Sequence, residues 1–422
     1  MARSRVLLVN PPIQDFTACD FWLRPYGMLR VAGRIQHACD LDVFDFLVSR
    51  TTDAWGRGRF PDEVVARPRA FQDIPRRFRR FGRPRDEFRQ LLQSRRFDAV
   101  LVQTMMTYWY PGLREVIEDV RRFQRDAAIV LGGVYATLLP SHARSLGADL
   151  VVQGSDLAPL FRLLAIDAKD ALPYWNGSLR QVGVMKLTEG CPFRCTYCAV
   201  PLTTPDFSSR PVSECLEEFR ALARLGARDV AFYDDALLFN SGDCLAPFLR
   251  SVIGEKTGLS FHTPNALNAR FINPEIAALM VLAGFASFFI GLENSAEEWQ
   301  RRTGGKLSRE EFREAVAVLR SAGARYICAY ALIGHPDVEL DEVEATMRFA
   351  HDQGARVLLS EFAPVPGTPD GGRCRQWADI EEPLSHNKTA FTIRRFGVQQ
   401  VNRMKALCRQ LNSQVPRGEQ PC

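Results

Sequence analysis

The chain has 422 residues, of which 46% are hydrophobic and 24% charged, with a net charge of +5. That balance excludes a disordered chain, and eleven cysteines spread thinly over such a length exclude a small disulfide scaffold. Every long apolar run is broken by charge before the ~20 residues of a membrane helix, and the opening MARSRVLLVNPP reads as a strand and not a secretory signal, so a cytoplasmic protein without a transmembrane segment is expected.

The first ~170 residues alternate strand and helix signals. RVLLVN (5–10), LDVFDFL (41–47), DAVLVQT (98–104), AAIVLGG (127–133) and DLVVQG (149–154) are short apolar runs rich in β-branched or aromatic residues. YGMLRVAGRIQHA (26–38) and PGLREVIEDVRRF (111–123) carry helical spacing between them. Continuously apolar strands imply burial on both faces, hence a parallel sheet covered by helices. Five strands predict a flavodoxin-like, Rossmann-type domain over 1–170 that binds ligands at its strand C-termini.

An arginine-rich insertion over about 51–97 interrupts that pattern. Between Thr51 and Asp98 thirteen arginines face seven acids, a local excess larger than the charge of the whole chain. Such a block suits either a solvated insertion whose arginines pair with local acids or an anion-binding surface. The stretch TYWYPG (107–112) is unusually aromatic for a βα loop. Its rings suit stacking on a flat ligand or interface packing. A linker at 171–180, within DAKDALPYWNGSLR, closes the domain.

From Gln181 the alternation restarts. QVGVMKL (181–187), DVAFYD (229–234), LSFHTP (259–264), ASFFIGL (286–292), RYICAYAL (325–332) and RVLLSEF (356–362) are the strands. Gly226, Gly284, Gly323 and Gly354 each stand between a helix end and the next strand, where a left-handed residue lets the chain reverse. Six βα units predict an open, partial (β/α)6 barrel of the TIM type over 181–375. Val398, Val401, Met404, Leu407 and Leu411 then recur at helical spacing in a C-terminal extension, 376–422. They predict a helix docked on the barrel, with substrate cover or membrane-surface contact as alternatives.

The sharpest signal is GCPFRCTYCAV (190–200), which follows the first barrel strand. Cys191, Cys195 and Cys198 have the spacing C-x3-C-x2-C on a βα loop at the barrel mouth, where such folds keep their reactive groups. A four-iron cubane needs one terminal ligand per iron, so three thiolates leave one corner open. An open position is what separates a working metal site from a structural one. A zinc site completed by a distant ligand, or unrelated buried thiols, are the alternatives. The scattered Cys39, Cys215, Cys244, Cys328 and Cys408 read as small buried apolar residues.

KLTEGCPFRCTYCAVP (186–201) resembles the signature of radical S-adenosylmethionine (SAM) enzymes, and the agreement runs from about Val184 to Pro369. The later segments are FYDDALLF, HTPNALNARF, FFIGLENSAEEWQRRTGGK, ALIGHPDVELDEVEATMRFA and FAPVPGTP. The resemblance implies a [4Fe-4S] cluster on Cys191, Cys195 and Cys198, with SAM on the fourth iron and cleaved to a 5′-deoxyadenosyl radical. It also implies SAM contacts at Tyr197, Asp234, Asp235, Asn265, Arg270 and Glu293, with Arg270 available to the SAM carboxylate. The family's frequent Gly-Gly-Glu turn is replaced here by Tyr233-Asp234-Asp235.

RVLLVNPP, MMTYWYPGLREVI and IVLGGVYATLLPSHA resemble the cobalamin (B12)-binding domain that precedes many radical SAM domains. By that resemblance Gln103, Thr104, Gly132 and Gly133 are its cobalamin contacts. The Asp-x-His-x-x-Gly motif of cobalamin mutases is absent; NPPIQDF stands in its place. The resulting expectation is a radical SAM enzyme that methylates an unactivated carbon with cobalamin. Its substrate would be a small molecule or peptide, and its electron donor of flavodoxin or ferredoxin type. Radical rearrangement or ring chemistry without cobalamin is one alternative, and a non-catalytic iron–sulfur redox protein is another. A third, tRNA methylthiolation, wants a second cluster from three more cysteines, whereas only Cys19 and Cys39 precede the linker. Nucleic acid is therefore not the expected partner.

Overall fold

The computed structural model describes residues 3–175 and 181–415. It divides into two compact units, Met1–Arg180 and Gln181–Cys422. Part of the expected linker, 176–180, and the end of the extension, 416–422, lie outside the described residues.

In the first unit β1 (Ser4–Asn10), β2 (Cys39–Asp45), β3 (Ala99–Thr104), β4 (Ala128–Gly133) and β5 (Leu150–Val152) form one parallel sheet in the order β5-β4-β3-β1-β2. That is the flavodoxin-like order read from the other edge. Val6 pairs with Leu41 on one side and Ala99 on the other. With neighbours on both edges and helices on both faces, Val6, Leu7, Leu8 and Val9 are fully buried. The helix Tyr26–Ile35 buries Met28, Leu29, Ala32 and Ile35, a helical stripe that packs on Val6, Leu8 and Leu101. Each such large side chain contributes about 1.5–3 kcal/mol of apolar burial.

The arginine-rich segment is folded. Arg79–Phe81 is the middle strand of a small antiparallel sheet, between Asp62–Val64 and Ile13–Asp15. Residues just after β1 thus belong to the insertion's own sheet, a long-range pairing that the sequence did not announce. Phe16, Phe71 and Phe78 cluster around it. The guanidinium of Arg80 forks onto Glu115 at 2.7–3.0 Å, both side chains being buried. Arg85 and Arg89 share Asp119, and Arg57 and Arg83 pair with Asp53 and Glu87. The local charge excess is largely absorbed by acids within this unit.

In the second unit β6 (Val182–Met185), β7 (Asp229–Phe232), β8 (Ser260–His262), β9 (Phe285–Glu293), β10 (Ile327–Ile333) and β11 (Arg356–Glu361) pair in chain order, all parallel. Among the described residues β6 and β11 do not pair, so the barrel is an open arc of six strands. The four glycine joints carry φ of +88°, +105°, +96° and +79°. The helix Arg309–Ser321 starts with a capping box between Ser308 and Glu311. The extension forms helices Lys388–Phe396 and Val398–Gln414. The second buries Val401, Met404, Cys408 and Leu411, and Asn412 exchanges two hydrogen bonds with the backbone of Val357 in β11. Docking on the barrel is thus the outcome for the tail.

Candidate functional site

The cysteine segment leaves β6 through a tight turn. Gly190 has φ +69°, and a Cβ there would lie 2.1 Å from the carbonyl oxygen of Asp206. Only glycine lets the chain enter Cys191 at this angle. The three thiols are partly buried. Burial raises the pKa of Cys191 and Cys195 and pushes Cys198 up to about 11, with the other two thiols adding to the effect at Cys198. Three soft donors close enough to perturb one another suit an iron–sulfur cluster, whose binding must release their protons. Among the described residues no three His, Cys, Asp or Glu side chains converge on a point that one metal ion would occupy. A cubane takes one thiolate per iron, so its ligands spread around the cube.

Charged side chains from several strand ends surround these thiols. Lys186, just past β6, lies 3.2 Å from Asp235 and 3.3 Å from Glu189. Burial works against the lysine's charge, but Asp235, Glu189 and Asp234 outweigh it, and its pKa is raised. Burial also raises Asp235, in spite of the lysine. Lys306 lies 3.4 Å from Glu293, and both act on Cys195. Glu293 ends β9 at φ +62°, where the register with β10 shifts. A left-handed non-glycine residue costs about 1–3 kcal/mol, and such strain gathers at working sites.

Asp234 is buried and turned inward. Its Oδ1 accepts from the N–H groups of Leu187 and Thr188 at 2.9 and 2.6 Å and from the Thr188 hydroxyl at 2.8 Å. Its Oδ2 is buried with no hydrogen-bond partner. Burial outweighs the three donors and pushes its carboxyl up to about 6. It therefore holds the segment between β6 and the cysteines. The Tyr197 ring stacks on Trp299, with ring centroids 5.5 Å apart. Asn265 is exposed and donates to the Tyr233 carbonyl at 2.9 Å. Arg270 is committed to Glu311 at 2.8 Å and to the Gly305 carbonyl. Cys191, Cys195, Cys198, Tyr197, Asp235 and Glu293 are thus brought together; Asp234 stands behind them, and Arg270 is held aside. Lys306, beside Cys191 and Cys195, and Lys186, beside Asp235 and Glu189, lie inside the quoted segments but carry no sequence signal of their own. A single lysine next to a motif has no spacing to mark it.

In the first unit, Gln103 and Thr104 are buried at the end of β3. Gln103 accepts from the Met28 N–H at 3.3 Å and Thr104 from the Ala136 N–H at 3.1 Å. Gly133 has φ +114°, and a Cβ would stand 2.3 Å from the Thr104 carbonyl; at Gly132 it would meet only Val152 at 3.7 Å. Met106 and Val134, just beyond β3 and β4, expose apolar surface. Glycines and exposed apolar groups at the strand tips suit a flat ligand lying close to the backbone. In TYWYPG, Tyr108 and Tyr110 are buried and Trp109 donates to Asp15 at 2.8 Å, so the two tyrosines serve packing within this unit.

Residues 185–350 match the family model of the Radical SAM superfamily, and residues 75–161 match that of the B12 binding domain. The chain carries a radical SAM domain preceded by a domain of the B12-binding type. It is 25% identical over 226 residues to an uncharacterized methyltransferase, PH0819, of Pyrococcus horikoshii, covering 52% of this chain and 45% of the relative. It is 24% identical to the threonylcarbamoyladenosine tRNA methylthiotransferase MtaB of Thermotoga maritima, covering 61% of this chain and 64% of the relative. The chain thus spans about half to two thirds of the length of these relatives. Among solved structures, the radical SAM methyltransferase TsrM of Kitasatospora setae, with cobalamin and a [4Fe-4S] cluster bound, aligns with a TM-score of 0.64. The alignment has 16% identity and covers 89% of this chain and 75% of that one. At that identity the likeness establishes the fold. No helix among the described residues is long and apolar enough to cross a membrane.

Proposed function

We propose that this chain is a cobalamin-using radical SAM enzyme that methylates an unactivated carbon of a small-molecule or peptide substrate. The observation that carries the reading is the set of three mutually perturbed thiols at the mouth of an open (β/α)6 barrel, in a chain whose first unit has a parallel sheet with glycine-lined strand tips. Residues 1–170 form the cobalamin module, 171–180 the linker, 181–375 the radical module and 376–422 its helical extension. When bound, the cluster supplies the electron that splits SAM into methionine and a 5′-deoxyadenosyl radical, and cobalamin supplies a methyl carrier.

The protein's part is to hold and orient. Cys191, Cys195 and Cys198 would hold three irons of the cluster, which would leave the fourth open to the amino and carboxylate groups of SAM. Lys306 is better placed than Arg270 to meet the SAM carboxylate, because it acts on both Cys191 and Cys195 while Arg270 is spent on Glu311. Asp235 and Glu293 accept from the SAM ammonium and ribose hydroxyls, and Asn265 stands at the rim. Asp234 serves by fixing Leu187 and Thr188. In the first unit Gly132 and Gly133 admit the ligand to the backbone, and Met106 and Val134 offer it apolar contact. A flavodoxin- or ferredoxin-type donor in the cytoplasm completes the scheme.

Anaerobic reconstitution tests this directly. The expected protein holds iron and sulfide, changes the visible spectrum of added hydroxocobalamin, and yields 5′-deoxyadenosine from SAM and dithionite. Zinc in place of iron, or a loaded cluster that never cleaves SAM, overturns it. Cleavage without cobalamin uptake moves the reading to rearrangement or ring chemistry. The similarity to MtaB favours methylthiolation as a second reading; against it, the first unit contains only Cys19 and Cys39 toward a second cluster.

A further inference from the structure

On the reading given above, the cysteine site needs one electron from a protein donor. Electron transfer through protein falls off steeply with distance, so the donor must touch the chain where the cysteine segment reaches the surface. Of residues 191–200, Arg194 alone is exposed; the other nine are half-buried. The Arg194 guanidinium donates to the carbonyls of Cys191 at 3.3 Å and Pro205 at 2.9 Å. Both partners are neutral, and among the described residues no carboxylate forms an ion pair with it.

Two more guanidiniums flank the segment. The Thr196 N–H donates to the Thr303 carbonyl at 3.1 Å, and a Cβ at Gly304 would lie 3.1 Å from the Cys195 Cα. That contact brings Arg302, the last residue of the helix Glu297–Arg302, alongside the cysteines. Arg302 lies 3.7 Å from Asp337, which also pairs with Arg373, and Arg373 reaches Asp370 at 3.1 Å. Asp370 in turn accepts from the Thr196 hydroxyl. Both arginine side chains are 51% exposed, against 17% for Asp337 and 4% for Asp370. The acids lie underneath and the guanidiniums outside, so a partner approaching Cys195 and Thr196 meets positive charge. Beside Arg194, the Phe193 ring lies 6.3 Å from Phe239 and 6.0 Å from Phe271, and Phe207 lies 5.0 Å from Phe239. All four rings are half-buried. Arginine and aromatic residues together are the composition of a protein interface.

We propose that Phe193, Arg194, Arg302 and Arg373 form the docking surface for a small acidic flavoprotein of flavodoxin type, the source of that electron. The proposal rests on the reading of the three cysteines as ligands of a cluster that cleaves SAM. The donor flavin passes from hydroquinone to semiquinone, the cluster gains the one electron that the flavin loses, and no bond forms between the two proteins. Acidic groups on the partner are steered to the guanidiniums. The half-exposed phenylalanines offer an apolar, aromatic surface to the exposed edge of its flavin ring. A transient redox encounter needs only a small contact.

The test titrates a purified bacterial flavodoxin into the anaerobically reconstituted protein and measures Kd at low and high salt. Stopped-flow absorbance then gives the rate at which flavodoxin hydroquinone reduces the cluster. Iron and sulfide counts and dithionite-driven SAM cleavage are the controls, because a small reductant needs no docking surface. Arg194→Glu is expected to weaken binding and slow reduction by about tenfold at low salt. The difference shrinks as salt rises, and dithionite-driven cleavage stays at the wild-type level. Arg302→Gln moves both quantities in the same direction by less. Arg224→Glu changes neither, because Arg224 ends the helix Val212–Arg224 just before β7 begins, at the opposite end of the barrel from the cysteines. If Arg194→Glu fails to hold the cluster, Arg194→Gln takes its place, since it keeps a donor for the two carbonyls. A loaded wild type that does not bind flavodoxin overturns the docking surface. So do unchanged binding and reduction in the Arg194 and Arg302 variants, or an equal loss in Arg224→Glu. A ferredoxin of equal charge that binds as tightly and reduces the cluster as fast overturns the choice of a flavin partner. A wild type that holds no iron or sulfide, or never cleaves SAM with dithionite, defeats the underlying reading instead.

Discussion

The two units use the same construction and place their charge differently. Both are parallel sheets whose strands end on one side. In the first, the ion pairs Arg80–Glu115 and Arg85–Asp119 tie the insertion to the helix Tyr110–Phe123, and the tips of β3 and β4 carry Gln103, Thr104, Gly132 and Gly133, all uncharged. In the second, charge gathers at the tips themselves, with Lys186, Asp234, Asp235, Glu293 and Lys306 around three thiols. A neutral, glycine-lined edge can seat a large preformed cofactor by shape. An edge with paired ions and soft ligands can hold a metal and a charged substrate where charge changes hands. Architecture alone does not separate the two roles; the location of the ion pairs does.

Four experiments press on that contrast. The largest effect is expected at the thiols: Cys195→Ala should lose nearly all reconstituted iron and sulfide while the first unit is unaffected, and metal analysis checks it. Next comes Arg80→Ala, which strands the Glu115 carboxylate in the interior of the first unit. Calorimetry should record a loss of about 3–5 kcal/mol with the cluster still loaded; a loss of cluster would mean that the two sets of charges are not separable.

Asp234 offers a smaller, pH-dependent effect. Its folded carboxyl titrates near 6, against an ordinary value of 3.8. The folded state therefore holds the proton more tightly, so the cluster-free protein should lose stability as pH rises from about 4 to 6 and level off above. The loss is at most about 3 kcal/mol. Asp234→Asn keeps an acceptor for Leu187 and Thr188 and should remove that part of the slope in melting curves. An unchanged slope would show that Asp234 is not its source.

The smallest effect separates binding from packing. Gly132→Ala meets only ordinary contact with Val152 and should move the melting of the first unit by less than ~0.5 kcal/mol. Cobalamin affinity should nevertheless fall, as titrated by visible absorbance. Gly133→Ala, strained by φ +114° and by the Thr104 carbonyl, should lower both. Equal cobalamin affinity in Gly132→Ala and wild type would remove Gly132 from the contact set.

Much of this was legible along the chain. All eleven main strands lie within one or two residues of apolar runs such as RVLLVN and ASFFIGL, because a strand buried on both faces must be continuously apolar. The four glycine joints were legible too, since only left-handed backbone turns a helix back into a strand there. The cysteine spacing marked the metal site because its ligands are local. What a local pattern cannot encode is which distant group a side chain will meet. Nothing in FYDDALLF says that Asp234 faces backward onto Leu187 while Asp235 faces Lys186. Nothing in HTPNALNARF says that Arg270 is claimed by Glu311, 41 residues away.

The amino-acid order alone therefore determined two parallel α/β units and the position of three thiols after the first barrel strand, because periodicity, glycine joints and short-range ligand spacing act over a few neighbouring residues. Only the tertiary structure decided that Ile13–Asp15 joins the arginine-rich insertion, that Lys306 rather than Arg270 stands beside the thiols, and that His335 is held between Trp299 and Asp370. Those outcomes depend on closing loops of tens to more than a hundred residues, where packing and desolvation choose each partner.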